Sequence, residues 1–161
     1  MKRLIFSLII TLLALSTAVA APKGKIKKII KKEVAACKAQ GWKPISGAPS
    51  LEEQITTFLE HSSMFGYDGE PMYIIATMRD ESKSSKMAET MAVQGCKTIA
   101  ANKLLIELGK YEAEKNIKLV RPKRLAAMER KGKNGNTEVF ISLAFNRAEM
   151  LEANKHLIEK N

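Results

Sequence analysis

Few side chains in this sequence stand where they could do chemistry together. His61 is followed by Ser62 and Ser63 in "LEHSSM". Hydrolytic or transfer catalysis would need such a serine within reach of a histidine base that a third group holds in place. Neighbouring residues on a helix point in different directions. No third partner is suggested either, so His61 reads as a solvent-facing residue at a helix end. His156 is the only other histidine. Two distant histidines and two distant cysteines do not have the spacing of a zinc site. Met87 and Met91, one helical turn apart, offer the thioethers a soft copper ion takes, but at that spacing they read more simply as packing. Trp42, Tyr67, Tyr73 and Tyr111 could line a sugar-binding platform. A single tryptophan behind a helix-ending glycine reads better as the lock between that helix and its domain. No residue is thereby marked as catalytic, cofactor-binding or metal-ligating, and the expectation is a protein that is not an enzyme.

Charge is the chemistry that does stand out. The stretch "PKGKIKKIIKKEVAACKAQGW", residues 22–42, sets Lys23, Lys25, Lys27, Lys28, Lys31 and Lys32 among its first eleven positions. Ile26, Ile29, Ile30, Val34 and Cys37 recur at helical spacing with the lysines on the other side, and Gly41 is placed as a helix stop. The result is an amphipathic helix with a thin apolar face and no aromatic residue. It reads as a domain helix with a solvated lysine face, or as a contact for an anionic surface, where each lysine adds about 1 kcal/mol. The two readings overlap, since a docked helix can still present its lysines.

Ahead of this helix, "MKRLIFSLIITLLALSTAVA" begins with Lys2 and Arg3, continues through an apolar run and finishes in small residues. That is the pattern of a cleaved secretory signal over residues 1–20, with Ala18 and Ala20 before a cut at Ala21. The apolar run is short for a membrane span, and no cysteine ends it for lipidation. The expected destination is a bacterial periplasm or cell surface, without a lipid anchor. The rest of the chain holds 25 basic against 17 acidic residues. A basic exported protein meets anionic lipid, acidic glycan or an acidic protein partner of the envelope rather than nucleic acid. Cys37 and Cys96 could bridge in an oxidising compartment, closing a loop of roughly 60 residues worth on the order of 4 kcal/mol. Each could equally be a small buried apolar residue.

The elements that must position these residues follow from periodicity and punctuation. After the basic helix (21–41), a single domain is expected over 42–161. "GWKPISGAPS" reads as an extended connector. Ser50 and Glu53 form a capping box in front of a helix from Leu51 to about Ser62. "MYIIATMR" (72–79) reads as a strand, and Ser82 or Ser84 as the cap of a long helix from Ser85 to about Tyr111. Along that helix Ala88, Ala92, Gly95, Ile99 and Ile106 form one stripe whose small members would let the axis lie close to a sheet. "EVFISLAFN" alternates as a strand with Val139, Ile141, Leu143 and Phe145 on one face, and the Asn-Gly pair before it signals a tight turn. "PKRLAAMER" is therefore expected as the hairpin partner, although its Leu-Ala-Ala-Met run also suits a helix. A last helix spans Ala148 to about Lys160.

The strand and alanine-rich helix "SKMAETMAVQGCKTIAANKLL", followed by "NGNTEVFISLAFNRAEM", resembles a family of small exported bacterial proteins. That family includes flagellar-sheath-type lipoproteins and the amino-terminal domain of flagellar-assembly T proteins. "GWKPISGAPSLEEQ" resembles uncharacterised exported proteins of gut anaerobes, and together the likeness covers most of residues 28–155. The resemblance implies an α+β domain with a long helix and shorter helices packed on a small, mostly antiparallel sheet of three or four strands. It carries no catalytic signature. The chain departs from it in lacking a lipidated cysteine and in a short stretch between Leu108 and Leu125.

Overall fold

The computed structural model describes residues 23–109 and 117–158. The expected leader (1–20) with its cut at Ala21, Tyr111 and the end of the last helix at Lys160 lie outside the described residues. The chain is α+β: helices cover a four-stranded antiparallel sheet in the order β1-β3-β4-β2. The elements are α1 (Lys23–Ala39), β1 (Lys43–Pro44), α2 (Leu51–Ser62), β2 (Tyr73–Ser82), α3 (Ser85–Glu107), β3 (Lys123–Lys131), β4 (Thr137–Asn146), α4 (Arg147–Ala153) and α5 (Lys155–Ile158).

The β3–β4 hairpin forms the middle of the sheet, and Lys133–Gly135 makes its turn. Asn134 and Gly135 take φ of 54° and 78°, the left-handed conformations that let a short turn follow the twist of the strands. Cross-strand pairing thus overrides the helical propensity of Leu125–Met128. A bulge between Arg124 and Ala126 puts Leu125 and Ala126 in clusters on the same side of the sheet, while Ala127 belongs to the other. The connector is not wholly irregular, because Lys43 and Pro44 pair with Glu129 and Met128. Beyond β1 the Gln54 amide continues the edge: its Oε1 accepts from Ala127 N at 2.7 Å and its Nε2 donates to Pro49 O at 2.6 Å.

Central strand β4 alternates strictly. Val139, Ile141, Leu143 and Phe145 face α3, while Phe140 and Ala144 face the layer that holds α1 and α2. Two apolar layers therefore cover the sheet, one on each side. The capping box at Ser50 and Glu53 is formed, and Ser84 caps α3.

Helix α3 lies over β2 and β4, and its buried line is Ala88, Ala92, Cys96, Ala100 and Leu104. This corrects the expected stripe in part. Ala88 and Ala92 are sealed and Gly95 lies close against Met78 of β2, where a Cβ would stand only 2.7 Å from Met78 Cγ, but Ile106 is 63% exposed. A row of residues four apart winds slowly round the helix, so the buried line drifts as the helix crosses a twisted sheet. The carboxy-terminal helix is also interrupted. Asn154 is fully buried, accepts from Lys118 N at 2.9 Å and donates to Lys118 O and Met150 O. It fastens the segment before β3 to α4.

The fit of α3 can be tested directly. Ala92→Leu should destabilise the protein by about 1–3 kcal/mol through overpacking, whereas the exposed Met87→Leu should leave it within about 0.5 kcal/mol. Urea unfolding of both variants measures the difference.

Candidate functional site

The lysine-rich helix is docked onto the domain. Ile30 and Cys37 share one cluster with Trp42, Leu51, Ile55, Met128 and Phe140, and Val34 packs at its margin. At the end of α1, Gly41 takes φ 79°, its N–H donates to Lys38 O at 2.9 Å, and Trp42 N–H donates to Cys37 O at 3.0 Å. This is a Schellman closure, which turns the chain back so that Trp42 folds under its own helix. Lys27, Lys28, Lys31 and Lys32 consequently line the outer side of α1, all exposed, and none joins an ion pair among the described residues. The side chains of Lys23 and Lys25 lie outside the described set.

Beneath this face Trp42 anchors a cationic cluster. Arg130 lies over its ring at 4.5 Å from the centroid and Arg79 at 5.4 Å, while Phe140 meets it edge-on at 6.3 Å. Guanidinium over an indole face is attracted by the ring quadrupole, more strongly where water is excluded. Glu138 neutralises part of the charge. Its Oε2 accepts from Arg130 Nε at 2.7 Å and lies 2.6 Å from Nη2, while Oε1 stands 3.9 Å from Arg79 Nη1. Burial lowers the Arg79 pKa, which Glu138 opposes and Arg130 reinforces. Sequence reading missed this cluster. Its signal was one residue type on each of β2, β3 and β4, brought together only by the pairing of Arg79 with Phe140 and Arg130 with Glu138.

On the inward side of α1, Glu33 is only 5% exposed. Burial raises its pKa despite the neighbouring Lys32. Between the end of α1, β1 and the start of α2 runs a shallow groove of about 390 Å³, lined by Val34, Lys38, Trp42, Lys43, Ser50 and Glu52 among others.

The remaining candidates stand apart. His61 is buried, which corrects the solvent-facing expectation. Its Nδ1 lies 2.8 Å from Thr57 O and its ring packs on Tyr73 at 4.9 Å. Ser62 and Ser63 donate to helix carbonyls of Phe58 and Glu60, so neither is aimed at the imidazole. His156 is half-buried near the far end of the chain. Met87 and Met91 sit together on α3 but are 59% and 46% exposed, so of the core or flank packing expected of them the core alternative is corrected. Trp42 is buried under Arg130 and Phe140, Tyr73 is against His61, and Tyr67 is fully exposed on the loop before β2, so they form no shared platform. The disulfide alternative is overturned as well. Cys37 and Cys96 are free thiols in clusters on opposite sides of the sheet, and Cys96 Sγ donates to Ile141 O. Burial pushes the Cys96 thiol up to about 11. Comparison with family models, curated proteins and solved structures finds no match to this chain.

Two outcomes follow from the docking of α1. Trp42→Ala should cost about 3–5 kcal/mol in urea unfolding, by opening a cavity and uncovering both arginines. Glu33 is a carboxyl whose folded pKa is raised, so the folded state holds more protons above the ordinary carboxylate pKa. Stability is then lost as pH climbs from that value through the raised one. Glu33→Gln should abolish this part of the pH dependence and raise the melting temperature at neutral pH, as thermal melts across pH would record.

Proposed function

We propose that this chain is an exported, non-enzymatic interaction domain of the bacterial periplasm or cell envelope, and that it meets an anionic partner surface through the lysine face of α1. Support for export comes from the sequence of residues 1–20 and from the resemblance to small exported proteins. One observation carries the binding reading: α1 points Lys27, Lys28, Lys31 and Lys32 outward while Ile30, Val34 and Cys37 are engaged inside. With its apolar side occupied, the docked helix has charge to offer and little to insert into an acyl layer. No helix among the described residues is long and apolar enough to cross a membrane. Contact with lipid headgroups or an acidic glycan would then be electrostatic, strong at low ionic strength and screened by salt. An acidic protein of the envelope would be met by the same face.

Vesicle co-sedimentation tests this reading. Binding is expected to vesicles containing anionic phospholipid, to weaken as salt rises, and to be competed by a soluble acidic polysaccharide. The variant with Lys27, Lys28, Lys31 and Lys32 all changed to Gln should bind at least about a hundredfold more weakly with an unaltered melting curve. Equal binding to zwitterionic vesicles, or indifference to salt and to the four substitutions, would remove the proposal.

A further inference from the structure

Strand β2 ends the sheet with ten residues and no strand on its outer side among the described residues. Arg147 N–H donates to Met72 O, so the even-numbered residues of β2 bond inward to β4. The N–H and C=O groups of Tyr73, Ile75, Thr77, Arg79 and Glu81 therefore point away from the sheet. Lys103 Nζ confirms the direction by donating to Ile75 O at 2.7 Å. Among the described residues only the Glu81 N–H, which donates to Asp80 Oδ1 at 2.8 Å, and the Ile75 carbonyl are engaged locally, and the long edge that remains is a template for a further strand. Above it, one row of α3 runs along the same side of the helix: Met87, Met91, Gly95, Ile99 and Lys103. Gly95 marks that side by its contact with Met78, and the two methionines are exposed.

We infer that a second copy of this chain occupies the edge, pairing β2 with its own β2 antiparallel about a twofold axis at Thr77. Three features favour a copy of itself over an unrelated strand. The outward-bonding positions are centred on Thr77, and the helix row is centred on Gly95, beside Met78, so one axis serves both. About that axis Tyr73 falls opposite Glu81, Ile75 opposite Arg79 and Thr77 opposite itself, so no like charges meet directly. In the helix row Met87 falls opposite Lys103 and Met91 opposite Ile99, with the two Met78 side chains, each packed on its own Gly95, at the crossing.

Spacing agrees. Because α3 lies over both β2 and β4, its axis stands roughly one strand spacing from the proposed dyad. The two α3 axes would then be about 9–10 Å apart, the distance at which helices pack. Lys103 need not leave, since the Ile75 carbonyl has a second lone pair for the incoming N–H. The assembly is a continuous eight-stranded sheet with both α3 helices on one side.

The mass of the protein in solution, followed by light scattering over a concentration series, tests the pairing. Two-chain mass is expected for the natural sequence. Met91→Lys places a charge at the helix contact, and Thr77→Pro removes an N–H that faces outward and is not needed within the sheet. Both should return single-chain mass with unchanged circular dichroism. Thr77→Cys should crosslink to itself under mild oxidant, while Glu81→Cys, roughly 27 Å from its symmetry mate at about 3.4 Å per residue, should not. Single-chain mass at every concentration would overturn the inference. So would a dimer indifferent to Met91→Lys, or crosslinking as ready at position 81 as at 77. Should Thr77→Pro fail to fold, Met91→Lys and the cysteine pair still decide.

Discussion

Everything in this molecule hangs on the alternation of β4. Seven successive residues, Val139–Phe145, are buried, and because a strand turns its side chains to opposite sides in strict succession, this single segment supplies the floor of both layers. Valine, isoleucine, leucine and phenylalanine go to α3. Phenylalanine, serine and alanine go to α1 and α2. A register shift of one position would exchange the two sets and leave neither layer with a matching surface. The antiparallel bonds to β2 and β3 fix the register along nearly the whole length of the strand.

The two layers are built differently. Against α3 the helix contributes alanines and a cysteine while the sheet contributes the bulk, which brings axis and sheet close together. On the opposite side Ala126 and Ala144 in the sheet receive Ile55 and Phe58 from α2, and the open end of that side is filled by Trp42 with two arginines on it. Hydrophobic area and cation–aromatic attraction thus share one residue, and that residue is also the last link of the α1 closure. Docking the basic helix and ordering the cationic cluster are consequently one event.

Much of this was legible in the chain. The capping box, the Asn-Gly turn, the strand at 137–146 and the α1 closure at Gly41 all depend on residues within a few positions of each other, and local physics states them. What eluded the sequence is what distance in the chain conceals. The Arg79, Arg130 and Glu138 cluster needs strand register across β2, β3 and β4. The burial of His61 needs Tyr73 to arrive from the next element. A straight stripe on α3 includes Ile106, because a helical wheel contains no sheet twist. Asn154, an ordinary surface residue by composition, is buried because its amide both accepts from and donates to the Lys118 backbone in the segment before β3. The lysine face was readable as a pattern, but whether the helix was docked depended on Trp42 meeting Phe140.

The sheet also separates the two thiols completely. Cys37 belongs to the layer of α1 and α2, Cys96 to that of α3, and each is 2% exposed or less. A reagent that alkylates sulfur can reach either one only when its own layer loosens. The protein therefore carries two internal clocks, and the order in which they react reports which side of the fold opens first.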